Sequence, residues 1–216
     1  MNDAYPVRKS PKILGIVGSL RTNSFNGALL NATKNLFPDS IEFDTFDIGE
    51  IPHYNQDVED SGIPEIVSKF RSKLRDANVI ILAAPEYNGS VSGVLKDALD
   101  WVSRPYGNSS ISGKPIAVLT AVSGRNGGRA VLNHLALIID YLDAKLIGEP
   151  VLVQQVSKKF DYQWNMIDPE AIRQLEQLVA QILEEPTIKA KTLEACEEAL
   201  AFPSSAAPVE ACLSLS

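Results

Sequence analysis

Two nearly continuous apolar runs, Asn78 to Ala84 (NVIILAA) and Pro115 to Val122 (PIAVLTAV), restrict this chain more than any other feature. A strand that is apolar at every position must be covered on both faces. That is the condition of a central strand in a parallel sheet flanked by helices. The segments around them alternate in the same sense. Lys12 to Gly18 reads as a first strand, and Ile41 to Ile48 (IEFDTFDI) as a second, more exposed one with period-two patterning. Helical spacing of apolar residues runs through 28–37, 64–76, 91–102 and 129–142, and Asp168 opens a helix reaching to about Leu183. Val151 to Val156 supplies a fifth strand. Strand and helix alternate five times, which predicts an α/β doubly wound, five-stranded parallel sheet with helices on both faces.

A chain of 216 residues with 45% hydrophobic content is sufficient for one such domain. Residues 1–11 are polar and contain Pro6 and Pro11; they read as a disordered leader without the apolar core of a signal peptide. The domain is placed at 12–185. Residues 186–216, with a weak helical segment and then FPSSAAPVEACLSLS, read as an appended, mobile tail outside the chemistry. A net charge of −7 argues against nucleic-acid partners and against anionic membranes, and no stretch has the ~18 apolar residues of a membrane-inserted helix. Only Cys196 and Cys212 are present, so a disulfide framework is excluded and a cytoplasmic setting is the default. With only His53 and His134, and no cysteine near either, no metal site is expected.

In open parallel sheets, ligands bind beyond the carboxyl ends of the strands. Three loops lie there. The first, Gly18 to Asn26 (GSLRTNSFN), joins a strand to a helix and presents free backbone N–H groups at the helix N-terminus, where a phosphate monoester is well held. Ser19, Thr22 and Ser24 add hydroxyls, and Arg21 a planar cationic fork. An ordinary βα loop with a serine cap has the same composition. The second, Pro85 to Gly93 (PEYNGSVSG), turns at Pro85 and Gly89. It carries the flat Tyr87 and the donor–acceptor Asn88, which suit a heterocycle with carbonyls and ring nitrogens. The third, Ser123 to Arg129 (SGRNGGR), is rich in small residues that permit close approach. Together the loops describe a mononucleotide with a polar planar head, and FMN answers that description. A dinucleotide fold of the usual kind is disfavoured, because no GxGxxG follows a strand and no acidic residue is placed for a ribose.

GSLRTNSFN, PEYNGSVSGVLKDALDW (Pro85 to Trp101), SGRNGGRAVLNHL (Ser123 to Leu135) and IPHYNQDVE (Ile51 to Glu59) resemble the NADPH-dependent FMN reductase family, over about residues 12–183. That family of quinone, azo-dye and chromate reductases has a flavodoxin-like fold. The resemblance implies that Ser19, Arg21, Ser24 and Asn26 hold the FMN phosphate. Pro85, Glu86, Tyr87, Asn88 and Gly89 would line the ring system, and Ser123 and Gly124 would close its other edge. It further implies a ping-pong reaction in which NADPH or NADH delivers a hydride to FMN, which then reduces a small acceptor such as a quinone, azo compound, flavin or metal oxyanion. No side chain is assigned a catalytic proton transfer, and a homodimer or homotetramer is expected. Two other functions fit an FMN site: a flavodoxin-like electron carrier and a non-catalytic flavin sensor. Glu86 is expected either to face the ring or to pair with Arg125 or Arg104. His134 and Trp101 are read as structural, and Lys96, Asp97 and Asp100 as a solvated or subunit-facing helix surface.

Overall fold

A computed structural model describes residues 10–201, of which 196–201 by backbone alone. The elements follow one another as β1 (Lys12–Val17), α1 (Phe25–Lys34), β2 (Glu42–Phe46), α2 (Gln56–Ser61), α3 (Glu65–Asp76), β3 (Val79–Ala83), β4 (Glu86–Tyr87), β5 (Ser90–Val91), α4 (Gly93–Val102), β6 (Pro115–Ala121), α5 (Arg129–Tyr141), β7 (Lys145–Leu146), β8 (Val151–Val153), α6 (Pro169–Leu183) and α7 (Pro186–Ala201). The main sheet is parallel throughout, in the order β2-β1-β3-β6-β7, with β8 also on β6.

The expected fifth strand is thus split. β7 pairs with Pro115 and Ile116 at the start of β6, and β8 pairs with Leu119 to Ala121 at its end. Gly148, at φ +65°, and Pro150 interrupt the ladder between them, since proline has no N–H to donate. β8 also ends at Val153 and not at Val156, because Val156 enters a short 3₁₀ turn.

The two apolar runs form β3 and β6, and every residue of both is buried. Along β3 the side chains alternate between two cores. Ile80 and Leu82 join Phe70, Leu95, Trp101, Leu135 and Ile139 under α3, α4 and α5. Val79, Ile81 and Ala83 join Leu29, Leu30, Leu175, Leu178 and Ile182 under α1 and α6. Full burial of each Ile or Leu is worth about 1.5–3 kcal/mol, so both faces of the central strands draw helices onto them.

The helices begin where the sequence offers caps. Ser24 accepts a hydrogen bond from the Gly27 N–H at 3.3 Å, and Asp168 accepts from Ala171 at 2.9 Å with Pro169 in the first turn. A helix that the patterning did not predict, α2, is capped by Asn55, whose side chain accepts from Asp57 at 2.9 Å. α7 covers part of the segment read as a tail; its Ile188 is buried in the second core. The expected leader falls almost wholly outside the described residues, and so do 202–216 and the side chain of Cys196. Among the described residues, no helix is long and apolar enough to cross a membrane, and no group of ligating side chains forms a metal site.

Candidate functional site

The carboxyl ends of β1, β3 and β6 deliver the three loops to one edge of the sheet, and the loops are tied together there. Gly18 N–H donates to the Ala83 carbonyl at 2.9 Å, and the buried Ser92 hydroxyl donates to the Gly18 carbonyl at 2.6 Å. A Cβ at Gly18 would stand 3.0 Å from Leu95 Cδ2 and 3.2 Å from Pro85 Cδ. Glycine is therefore what allows the first loop to lie against the second.

In the first loop, Ser19 and Ser24 are half-buried and Arg21 is exposed. Ser19 Oγ accepts from the Arg21 N–H at 3.4 Å. Among the described residues, the Thr22, Asn23 and Phe25 N–H groups and the Arg21 guanidinium have no partner. Unpaired amides at the positive end of α1, beside a free guanidinium and two hydroxyls, match the donor set that a phosphate monoester requires. Asn26 is the exception within this loop. It is 3% exposed, its Nδ2 donates to the Ala121 carbonyl at 3.0 Å, and its Oδ1 accepts from the Ala121 N–H at 2.9 Å. Its side chain braces α1 to β6 through both amide atoms.

The second loop is a hairpin, β4 and β5 closed by Asn88 (φ +52°) and Gly89 (φ +71°). Asn-Gly tolerates two successive positive φ values, as the tight hairpin turn requires. Tyr87 is 46% exposed and Asn88 and Gly89 are exposed, whereas Pro85 is buried against Gly18. Glu86 is committed elsewhere. Its Oε2 accepts from the N–H groups of Gly128 at 2.8 Å and Val131 at 3.2 Å, so the carboxylate caps α5 and faces its positive end. It pairs with neither Arg125 nor Arg104; the latter binds Glu59 at 3.1 Å.

In the third loop Ser123 and Gly124 are exposed, and a Cβ on Gly124 would meet nothing within 4 Å, so the space above it is open. The Gly124 carbonyl accepts from Gln155 at 3.2 Å, and Gln154 Nε2 donates to the Gly127 carbonyl at 2.8 Å. The strand end that follows β8 thus holds this loop in place.

Sequence patterning missed three features around these loops. A cleft of about 850 Å³ extends from Ser19, Arg21 and Ser24 past Asp47 to Lys34 and Phe43. The pairing of β1 with β2 is what brings Phe43 and Asp47 to the loop. Trp164 also lines the cleft, 38% exposed and at φ +65°, a conformation costly for a bulky residue. The turn beneath it is held by Asp161, whose Oδ1 accepts from the N–H groups of Gln163 and Asn165 at 2.8 Å. The third feature is a nearly buried ion cluster. Glu59 binds Arg71, Arg104 and the Tyr54 hydroxyl, while Arg71 also donates to the Trp101 carbonyl at 2.7 Å. Burial opposes ionisation of Glu59, but hydrogen bonds from Tyr54 and both guanidinium groups outweigh it and hold the carboxyl below its ordinary value.

The remaining candidates take structural places. Trp101 is fully buried and donates to the Pro52 carbonyl at 2.7 Å. Lys96 pairs with Asp100 on the surface of α4. His53 Nδ1 lies 2.5 Å from Asp97 Oδ2, and His134 Nδ1 lies 3.0 Å from Ser90 Oγ, both exposed.

The family profile described as NADPH-dependent FMN reductase matches residues 11–158, a span that contains all three loops. An NAD(P)H-dependent FMN reductase of Pseudomonas aeruginosa is 41% identical over 167 residues, covering 77% of this chain and 90% of that protein. A 2-hydroxy-1,4-benzoquinone reductase of a Burkholderia species is 39% identical over 166 residues, covering 76% and 90%. Among solved structures, the flavoenzyme NAD(P)H:(acceptor) oxidoreductase of Paracoccus denitrificans superposes with a TM-score of 0.73 at 27% identity, covering 85% of this chain and 98% of its own.

Proposed function

Because this chain belongs to the NADPH-dependent FMN reductase family, we propose that it is an FMN-dependent oxidoreductase. It transfers reducing equivalents from NAD(P)H to a small acceptor of the quinone, azo, flavin or metal-oxyanion class, in ping-pong order. The observation that carries this reading is the donor set at the start of α1, the unpaired amides of Thr22, Asn23 and Phe25 beside Arg21. That set faces the same sheet edge as the exposed hairpin turn.

FMN, when bound, would supply a two-electron relay between NAD(P)H and the acceptor. The chain's own work is positioning. Ser19, Arg21, Ser24 and the loop amides bind the phosphate. Tyr87, Asn88 and Gly89 present a rigid hairpin edge to the ring, its geometry fixed by Glu86 on α5 and by Pro85 on Gly18. Ser123 and Gly124 bound the opposite side, where the open space leaves room for a second planar molecule. Backbone N–H groups at these loops would favour negative charge on a bound ring, a role that needs no side-chain acid or base. Asn26 ties the start of α1 to β6 through its amide. The working unit is a homodimer or homotetramer in the cytoplasm, and residues 12–185 carry the reaction.

Anaerobic titration tests this. Purified protein, loaded with FMN if necessary, is expected to lose its yellow colour on one equivalent of NADPH or NADH and to regain it when a quinone is added. Protein that takes up no FMN, or whose bound flavin ignores both nucleotides, overturns the reading.

A further inference from the structure

Among the described residues, Asn88, Asp143, Gln155 and Trp164 have positive φ without being glycine, and only Trp164 of these is aromatic. A bulky side chain is kept in that conformation only where its surroundings leave no alternative. The turn that carries Trp164 meets this condition. Asp161 Oδ1 accepts from the Gln163 and Asn165 N–H groups, the Asp161 N–H donates to the Asn165 carbonyl at 3.0 Å, and the Trp164 N–H donates to the Asp161 carbonyl at 3.1 Å. An ion pair of Lys159 with Asp168, at 2.8 Å, closes the base of the turn.

What the turn presents is an indole against the start of α1. The Trp164 ring centroid lies 5.1 Å from that of Phe25, the first residue of the helix, and 6.5 Å from that of Phe160. Aromatic packing does not by itself account for the choice of tryptophan, because 38% of the residue stays exposed and it lines the cleft together with Thr22, Asn23 and Ser24. The chain has two tryptophans. The indole N–H of Trp101 is held by the Pro52 carbonyl at 2.7 Å, whereas that of Trp164 has no partner among the described residues. An indole N–H can only donate. It therefore adds one more donor of the same sign to the unpaired amides of Thr22, Asn23 and Phe25 and the guanidinium of Arg21.

We propose that Trp164 is a specificity residue of the flavin site: its indole walls the phosphate loop beside Phe25, and its N–H donates to the phosphate, so that the site selects phosphorylated flavin over riboflavin. This rests on the FMN-reductase reading for the identity of the ligand. The residue lies beyond the span 11–158 that the family profile matches, and so is not one of the three loops that carry the resemblance. The rigid turn holds the indole in place before the ligand arrives, which limits the ordering cost of binding.

Full-length protein freed of flavin, titrated with FMN and with riboflavin, tests the assignment, since the two ligands differ only in the phosphate. Trp164→Phe keeps an aromatic ring and removes the N–H. It is expected to weaken FMN binding about tenfold, the scale of one hydrogen bond to a charged group, and to leave riboflavin affinity unchanged. A second measurement needs no variant. The indole N–H resonance of Trp164, told from that of buried Trp101 by its faster exchange with solvent, should move on addition of FMN or inorganic phosphate and stay in place with riboflavin. Equal weakening of both flavins in Trp164→Phe assigns the ring to packing and overturns the proposal. FMN affinity that the variant leaves intact overturns it too, as does an indole resonance that neither FMN nor phosphate moves. A protein that binds neither flavin overturns the FMN reading instead, and the response of the resonance to inorganic phosphate still decides whether Trp164 meets an anion.

Discussion

Asn26 and Ala121 are joined by two hydrogen bonds through a single side-chain amide, at 3.0 and 2.9 Å, which tie the first turn of α1 to the last residue of β6. Both residues are buried, so the amide satisfies a strand-end N–H and C=O that have no other partner among the described residues. Asn26→Ala is expected to leave both groups unpaired and to cost about 1–3 kcal/mol for each. Urea unfolding measures this as a lowered midpoint. In the protein that remains folded, FMN affinity should change far less than stability; the reverse pattern would return Asn26 to the phosphate.

Arg21 makes the opposite prediction. It is exposed and has no partner among the described residues, so removing its side chain costs the fold nothing. One charge-assisted contact to phosphate is worth roughly 1.5–3 kcal/mol, and Arg21→Ala should weaken FMN binding about 10- to 100-fold at unchanged thermal midpoint. Flavin retained after dialysis, compared with wild type, measures it.

The difference between Asn26 and Arg21 marks how far the sequence can be read. Strands β3 and β6 were legible because nearly continuous apolar runs, with Thr120 the one polar residue inside β6, demand cover on both faces, and the loops after them follow from that. Local turn chemistry was legible in principle: Asn88-Gly89 is a hairpin signal that a functional reading as a ring-lining loop passes over. What was not legible is any role decided by a partner far along the chain. Asn26 and Ser24 look alike as polar loop residues, yet a strand 95 positions away claims Asn26. Glu86 finds the start of α5 and no arginine, because helix N-termini attract carboxylates as arginines do. Phe43 and Asp47 share a cleft with Ser19 and Arg21 only through the pairing of β1 with β2.

Acid should release the segment that leads from β2 to α3. Glu59 ionises below its ordinary value of 4.5, so its contribution to stability is complete above that pH and is lost as pH falls through the lowered folded value. Glu59→Gln removes the counter-charge of Arg71, whose side chain is only 7% exposed. The expected loss at neutral pH is on the order of 3 kcal/mol, the range for breaking a nearly buried pair. Thermal midpoints measured from pH 7 down to 3 should fall more steeply below 4.5 for wild type than for the variant. Parallel curves would remove Glu59 as the group responsible.

Ile188 decides what the segment after α6 is for. It is 1% exposed and packs in the core that also holds Val79, Ile81 and Ile182, although residues 186–216 were expected to stand apart from the domain. Truncation after Glu185 should therefore cost stability, about 2–4 kcal/mol by the scale of deleting a buried isoleucine, while the three loops at the sheet edge keep their anchors in β1, β3 and β6. Urea unfolding should show Ile188→Ala reproducing most of that loss in the full chain, since no other residue of α7 with a described side chain is buried. NADPH oxidation by the truncated protein, assayed well below its new midpoint, should match wild type. If the folded truncated protein binds FMN but no longer oxidises NADPH, the segment belongs to the working site and its burial is not its only role.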